Sequence, residues 1–493
     1  MPISVHLVAA TFVLIAAGYA ISIPPWNNPD EPAHFNYVRE LAANGTLPVL
    51  RPGAWDSELL ERLKTSRFRD ANIDSITYEA HQPPLYYALE VPGYLATRGL
   101  TPFQQVLVLR GLSIVLGTAL VYLTARLALV MAPARADIAT TAAGFAAFLP
   151  MHTYMAAAIN NDALGNLIGG ALVLAAASGI QRGFGTRARL ILGGLIGLAL
   201  ITKTTTYALI PVALAAFSYR RRLVDKLSWV LLFAEVGSVA GIALLVGGWW
   251  FARNGLIYGW DDLLATRHHD AVVVGQLRSD DPTAPAVDAR ISSAYQSFWG
   301  VFGWMGVPFQ QPTYAAYSFI SLLIVLGIPA LVAQPPPSSA ANQLSPHRAS
   351  AVVLLAATAA TMAAFVGYNL TFVQSQARYL FPSLAGVATL FALAVATFRQ
   401  AASSDPSRAP RLSAAGGPAA AWLVAFATSV GSRGVFPWTL VAVAGALGVA
   451  AVMVFLEKRR FRWAGMAQAA VTVAGLAWAD IALLVGVAIP AFR

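Results

Sequence analysis

The sequence contains no cysteine and few charged residues. None of its 493 residues is cysteine, and only 11% are Asp, Glu, Lys or Arg, whereas a soluble globular protein carries about 25%. The absence of cysteine excludes disulfides, thiolate metal sites and cysteine nucleophiles. The shortage of charge excludes a soluble multidomain enzyme, a disordered protein and a protein that binds nucleic acid.

Long apolar stretches take the place of charge, and 57% of the residues are hydrophobic. A helix needs about 20 mostly apolar residues to cross a bilayer. This length predicts an all-α polytopic membrane protein with about 12–13 transmembrane helices. The predicted spans lie near residues 4–23, 104–131, 138–158, 162–181, 228–251, 313–333, 349–370, 379–398, 435–456 and 465–491, with a weaker one near 417–431.

The stretch 190–219 is too long for one span, and Lys203 lies near its middle, next to three threonines. It predicts a broken hairpin of two short helices with Lys203 at the turn. With the N-terminus in the cytoplasm, this hairpin places most basic residues of the short loops on the cytoplasmic side, as the positive-inside rule requires. The first apolar segment lacks a basic flank and a clear cleavage site, which favours an uncleaved anchor.

Two long loops, 24–103 and 252–312, fall on the outer face in this topology. The functional groups are therefore expected at the outer end of the membrane region. The polar segments 334–348 and 399–418 are predicted to be cytoplasmic linkers without a folded domain.

These boundaries divide the chain into a membrane-embedded catalytic module over residues 1–400 and C-terminal transmembrane helices over residues 401–493. The alanine-rich composition is typical of a high-GC bacterium. We therefore expect a multi-pass protein of the bacterial inner membrane.

The first outer loop begins with two adjacent acids, Asp30 and Glu31, next to His34. Acids this close to an apolar helix are candidates for function, because they are costly against lipid. A structural alternative is that Asp30 caps a surface helix with Pro32 in its first turn. Capping accounts for one acid and leaves the other unexplained.

Further along the same loop, Tyr78 to Tyr87 reads Tyr-Glu-Ala-His-Gln-Pro-Pro-Leu-Tyr-Tyr. The proline pair predicts the start of a short helix. Packing does not explain Glu79, His81 and Gln82, which precede it.

Two metal hypotheses arise from the loops. The run His268, His269, Asp270 invites one, but three adjacent residues of a regular element cannot easily converge on one ion. The carboxylates of Asp30, Glu31 and Glu79 offer hard oxygen ligands for a divalent cation such as Mg²⁺ or Mn²⁺.

Several segments together resemble the GT-C superfamily of integral-membrane glycosyltransferases, which includes protein O-mannosyltransferases and lipid A aminoarabinose transferases. Asp30-Glu31 follows the first span, and His-Gln-Pro-Pro-Leu-Tyr-Tyr precedes the second. Three further pieces agree in order and bring the likeness to about residues 5–400. They are Asn160-Asn161-Asp162-Ala163-Leu164, Leu200-Ile201-Thr202-Lys203 and Arg378-Tyr379-Leu380-Phe381-Pro382.

The resemblance implies transfer of a sugar, with inversion, from a polyprenyl-phosphate carrier to a hydroxyl of a protein, glycan or lipid acceptor. It implies a carboxylate base, for which Asp30 is the first candidate and Glu31 the second. Candidate ligands of the donor phosphate are Arg378, Arg253, Lys203 and His81. Candidate ligands of the sugar or acceptor are Glu79, Gln82, Tyr86, Asn161, Asp162 and His34.

Each of these roles has a structural alternative. The three cations can snorkel to lipid head groups, His81 can be structural, and Asn161 with Asp162 can be an ordinary N-cap. One departure from the family is that some relatives carry a phosphate-binding lysine where Gln82 stands. The alternative functions are a transporter or flippase of a lipid-linked sugar and a non-catalytic scaffold of the cell envelope.

Overall fold

The computed structural model describes residues 1–69, 71–332, 346–404, 422–428 and 464–492, and most of these residues are helical. The helices of the first half are α1 (Ile3–Ser22), α2 (Glu31–Asn44), α3 (Ser57–Thr65), α4 (Leu85–Ala96), α5 (Pro102–Met131), α6 (Ala136–Ala147), α7 (Pro150–Ala156), α8 (Asp162–Arg182), α9 (Thr186–Leu200) and α10 (Leu209–Tyr219). Those of the second half are α11 (Trp229–Tyr258), α12 (Thr266–Val272), α13 (Val287–Trp299), α14 (Gln311–Val332), α15 (Pro346–Asn369), α16 (Leu384–Ser404) and α17 (Ala464–Leu483).

Short 3-10 and π segments join some of these helices. The 3-10 segments are Tyr78–His81, Thr204–Ala208 and Ala377–Ser383, and the π segments are Arg220–Val224 and Leu484–Ala488. The last of these extends α17 to a final turn, Ile489–Phe492. The strands β1 (Val301–Phe302) and β2 (Val307–Pro308) form a small antiparallel hairpin.

Seven helices of the described ranges are long and apolar enough to cross a membrane, which confirms the prediction of an all-α polytopic protein. They are Ile3–Ser22, Pro102–Met131, Asp162–Arg182, Trp229–Tyr258, Arg348–Asn369, Ala377–Thr397 and Gly465–Phe492. The span predicted near 313–333 corresponds to α14, whereas the one near 435–456 lies outside the described residues. Of the weaker span near 417–431, residues 422–428 are described and helical.

The span predicted over 138–158 is wrong, because the chain breaks it into α6 and α7. Pro150 begins α7, and the residue before it, Leu149, has an extended backbone. A proline disfavours helical geometry in the residue that precedes it, so the sequence contained the signal for this break. The short helix α7 leads towards the loops.

The predicted broken hairpin is present in α9 and α10. At their junction, the Lys203 ammonium lies 2.6 Å from Asp162, the first residue of α8. At the far end of α10, Arg220 donates a hydrogen bond of 2.9 Å to the carbonyl of Ile180, near the end of α8. The chain therefore runs along α8 and back, with Lys203 at the same end of the bundle as the start of α8.

The two long loops pack against each other at this same end of the bundle. The Trp55 indole donates to the Val274 carbonyl (3.0 Å), and the Trp304 indole donates to the Trp26 carbonyl (3.0 Å). The second contact joins the β1–β2 hairpin to the strap, residues 23–30, which connects α1 to α2. The loops thus form one cap over the helix ends.

Candidate active site

A cavity of about 560 Å³ lies beneath this cap, and its walls differ in polarity. One wall carries ionisable side chains from the two loops and Lys203 from the hairpin turn. Another part of the wall is one face of α15, formed by Thr361, Ala364, Phe365 and Tyr368 at helical spacing. The volume and the mixed lining suit a small-molecule ligand with a polar and an apolar part.

Asp30 lines the cavity and is held from two sides. Its carboxylate accepts hydrogen bonds from the Tyr78 hydroxyl (2.8 Å) and from the Arg378 guanidinium (2.6 Å). Burial acts to raise the pKa of Asp30, but the Arg378 charge and these two hydrogen bonds hold it below its ordinary value. Asp30 is therefore an ionised acceptor at the cavity wall.

The capping interpretation of Asp30 is wrong for its side chain. Asp30 occupies the N-cap position of α2, but its side chain makes no capping bond and its backbone is left-handed, with φ 64°. Aspartate tolerates this conformation better than most residues. The turn directs the carboxylate to the cavity rather than to the helix.

Glu79 faces the same cavity and differs from Asp30 in protonation. Burial and the nearby negative charge of Asp30 raise the pKa of Glu79 to about 8. Its Oε2 atom is buried and has no hydrogen-bond partner. At neutral pH Glu79 is therefore a protonated carboxyl group beside a carboxylate.

Two histidines of the first loop also line the cavity. Burial lowers the pKa of both His34 and His81 to about 3, and the neighbouring His269 imidazole acts in the same direction on His81. The Nδ1 atom of His34 is hydrogen-bonded to the Tyr87 hydroxyl at 2.8 Å. Both imidazoles are neutral at physiological pH, so they act here as hydrogen-bonding groups or ligands rather than as cations.

Lys203 is the predicted phosphate-binding cation that lines the cavity. It bonds the Asp162 carboxylate (2.6 Å) and the Asn161 side-chain oxygen (2.6 Å). Asn161 in turn donates to the Gln82 side chain (3.3 Å) and makes no capping bond to α8. The simple N-cap interpretation of Asn161 is therefore wrong. The Asn161 side chain instead links Gln82 to the Lys203 ammonium.

Arg378 lies behind the carboxylates rather than in the cavity wall. It is 2% exposed and joins Asp30 to Asp162, at 2.6 Å and 3.2 Å. The predicted role of Arg378 as the first ligand of the donor phosphate stays a prediction. In the structure, Arg378 orients Asp30 and keeps it ionised.

Three other predicted site residues lie away from the cavity. Arg253 donates to the backbone carbonyl of Pro48 (2.5 Å) and fastens the first loop to α11. The Tyr86 hydroxyl is buried with Glu90 (2.8 Å). Glu31 is fully buried. These placements argue against phosphate, sugar and base roles for the three residues.

Glu31 forms a buried ion pair with Arg110 of α5. The Arg110 guanidinium donates to both carboxylate oxygens, at 2.8 Å and 2.7 Å, and neither side chain is exposed. Arg110 also donates to the carbonyls of Ala20 and Ile23 (2.6 and 2.7 Å). The pair anchors the turn that presents Asp30.

We expect Arg110→Met to destabilise the protein strongly, because it leaves the Glu31 carboxylate buried without its cation. Removing one partner of a buried pair costs about 3–5 kcal/mol. Thermal unfolding in detergent measures the loss, and the double variant Arg110→Met/Glu31→Gln should recover part of it. A double variant no more stable than Arg110→Met would contradict this account of the pair.

The cavity also contains two residues that the sequence analysis did not select, Tyr78 and Lys64. The Lys64 ammonium lies 4.9 Å from the centre of the Trp304 ring, so α3 contributes to the cavity besides lying at the surface. The sequence contains one indication that Tyr78 belongs to the cavity, which is its position directly before the Glu79–His81 cluster. Nothing in the sequence paired Lys64 with Trp304.

One set of groups in the described residues has the geometry for a metal ion. The ligand atoms of Asp30, His34 and Glu79 all lie within 4.8 Å of one another. The set of metal ligands therefore differs from the expected Asp30, Glu31 and Glu79, because His34 takes the place of the buried Glu31. Two carboxylates and a neutral imidazole are ligands that Mn²⁺ accepts, and the free Glu79 oxygen fits this use. The adjacent His268, His269 and Asp270 do not form such a set among the described residues.

Comparison with solved structures identifies the architecture. The crystal structure of ArnT from Cupriavidus metallidurans bound to undecaprenyl phosphate matches with a TM-score of 0.54 and 15% identity, over 97% of this chain and 77% of that one. Its apo structure matches with a TM-score of 0.52. The chain therefore has the fold of ArnT, as the GT-C resemblance predicts.

A second group of solved structures matches less well. An Archaeoglobus fulgidus oligosaccharyltransferase in complex with zinc and sulfate matches at 13% identity with a TM-score of 0.43, over 88% of this chain and 53% of that one. Neither the family models nor the curated proteins gave a match. The comparisons therefore establish the fold alone.

Proposed function

We propose that this GT-C chain is an inverting glycosyltransferase of the bacterial inner membrane. It moves a monosaccharide from a polyprenyl-phosphate carrier to an acceptor hydroxyl at the outer face. The observation that carries the proposal is an ionised carboxylate, Asp30, in the wall of a cavity that is also lined by an apolar helix long enough to cross a membrane. The fold shared with ArnT, which was crystallised with undecaprenyl phosphate, supports a lipid-linked donor.

In the proposed reaction, Asp30 accepts the proton of the acceptor hydroxyl as its oxygen attacks the anomeric carbon. The bond between that carbon and the phosphate oxygen breaks, and the polyprenyl phosphate leaves as an anion. A single displacement inverts the anomeric configuration. General-base assistance of this kind contributes about 10²–10⁴-fold to the rate.

Lys203 is proposed to stabilise the charge that develops on the departing phosphate. A cation placed at the leaving group acts most strongly where water is excluded, and the Lys203 side chain is only 9% exposed. Arg378 keeps Asp30 ionised, and Asn161 and Gln82 hold the ammonium in place. Lys203 in the hairpin turn thus takes the role of the lysine that some relatives carry at the position of Gln82.

The α15 wall fits the lipid part of the donor. Its face towards the cavity carries Phe365 and Tyr368, while Met362 and Val366 are 43% and 47% exposed at the outside of the bundle. One helix therefore separates the cavity from the surroundings of the bundle. A polyprenyl chain can lie along α15 with its phosphate towards Lys203.

A divalent cation, when bound, would be held by Asp30, His34 and Glu79 and would supply positive charge for the phosphate. Such an ion competes with the proton of Glu79 for the same oxygen. Metal dependence is therefore part of the proposal to be tested, with transfer measured in EDTA and after addition of Mg²⁺ or Mn²⁺.

The pH dependence in EDTA distinguishes two roles for Glu79, whose pKa is raised to about 8. We expect transfer to fall as pH rises through this value, because ionised Glu79 places a second negative charge beside the phosphate. Glu79→Gln stays neutral and should lose this alkaline decline. If transfer instead rises through the same pH range and Glu79→Gln abolishes it, Glu79 is the base.

A transfer assay tests the proposal as a whole. Purified protein in lipid nanodiscs is incubated with a panel of radiolabelled polyprenyl-phosphate sugars and an envelope extract. We expect label to move from one donor into a protein, glycan or lipid acceptor. If none moves and labelled lipid instead changes leaflet in sealed vesicles, the chain is a flippase.

A further inference from the structure

A buried acid that the proposed reaction does not use lies in the C-terminal helix. Asp480 is the lone acid of the apolar span Gly465–Phe492, and it is completely buried. Its carboxylate accepts hydrogen bonds from the hydroxyls of Tyr19 (2.9 Å) and Thr153 (2.7 Å). No ion pair joins it to a cation within the described ranges. An acid in a membrane span is costly and calls for a function.

The short helix α7 connects Asp480 to the candidate active site through three successive residues. Thr153 bonds Asp480, and Met155 places its sulfur 3.7 Å from the Arg378 guanidinium. Between them, the Tyr154 hydroxyl accepts from the Gly303 amide (3.0 Å) and reaches the Asn27 carbonyl (3.4 Å).

Both partners of the Tyr154 hydroxyl belong to segments that carry cavity residues. Asn27 belongs to the strap that leads to Asp30, and Gly303 belongs to the hairpin that carries the cavity residue Trp304. A helix of seven residues has little stability of its own, so α7 depends on outside contacts for its position. Phe492, at the end of the same C-terminal helix, packs against the Gly303 turn.

We propose that Asp480 is a positioning residue for the active site, acting through α7. By holding Thr153, it fixes the Tyr154 hydroxyl, which fixes both the strap before Asp30 and the hairpin turn at Gly303. The proposal rests on the proposed function only in taking the cavity as the active site. It makes the C-terminal helix a working part of the catalytic module.

Hydrogen–deuterium exchange of the full chain in nanodiscs tests this connection without any substrate. Asp480→Leu keeps the side-chain size and removes both acceptors. We expect about tenfold faster exchange in peptides that cover 300–309 and 26–32, with α5 and α8 unchanged. Asp480→Asn retains an acceptor and should restore slow exchange. Thr389→Val, whose hydroxyl bonds within its own helix, is the matched control and should resemble the wild type.

Tyr154→Phe keeps the helix and removes the hydroxyl that links α7 to the site, so it tests the route even if Asp480→Leu fails to fold. We expect it to accelerate exchange in the same two segments. The double variant should show no additional acceleration there, because both changes break one chain of contacts. Additive effects, or exchange that increases only near 150–156 and 464–492, would overturn the proposal. A failure to transfer sugar would leave this result unaffected and would count against the proposed function instead.

Discussion

Asp30→Asn is expected to lower sugar transfer by about 10²–10⁴-fold, the contribution of a general base. The single amide oxygen of asparagine can accept from Arg378, and its NH2 group can donate to the Tyr78 hydroxyl, so the loop should keep its position. It cannot take the proton of the acceptor hydroxyl. The loss should therefore appear in turnover, while the donor concentration for half-maximal rate changes little.

The matched control is Asp74→Asn, the same substitution in the same loop. Asp74 is exposed, pairs with Arg39 and lies outside the cavity. We expect it to retain wild-type transfer. If Asp30→Asn also retains transfer, the base is another group, and Glu79 is the next carboxyl in the cavity.

Lys203→Met is expected to lower transfer by about 10²–10³-fold, the typical effect of removing one charge-stabilising group from an active site. The ammonium is a cation in the cavity wall, and its loss removes positive charge that would compensate the departing phosphate. Donor binding should weaken as well, because the phosphate is already charged in the ground state. Titration with undecaprenyl phosphate measures that part.

A double variant separates this role from simple charge balance. Lys203→Met leaves Asp162 with only its 3.2 Å contact to Arg378, which could damage the site by itself. Lys203→Met/Asp162→Asn removes that uncompensated charge. We expect it to recover folding stability and to remain inactive. Recovery of transfer would show that Lys203 only neutralises Asp162.

Much of the fold was predictable because long apolar runs indicate membrane spans. The broken hairpin followed from the position of Lys203 in the middle of one such run. Several site residues were predictable for a related reason. Asp30, Glu79 and His34 are polar groups next to apolar segments, where their burial needs an explanation. Pro150 also indicates the break between α6 and α7. The apolar composition of residues 138–158 nevertheless led to the prediction of one continuous span.

The choice among charged residues was not predictable, because it depends on contacts between distant segments. Glu31 and Asp30 are neighbours in sequence, yet one meets Arg110, 79 residues away, and the other faces the cavity. Arg378 and Lys203 both lie at the same end of the bundle, and only packing places Lys203 in the wall. Asp480 carried a signal as the lone acid of its span, but its partners come from α1 and α7.

The anomeric configuration of the product tests the central claim most directly. Wild-type protein in nanodiscs is given the active polyprenyl-phosphate sugar of defined anomeric configuration, and the product and released lipid are analysed by NMR and mass spectrometry. The account predicts one inverted glycoside for each polyprenyl phosphate released, and neither product with Asp30→Asn. A retained configuration, or release of polyprenyl phosphate without a glycoside, would contradict it.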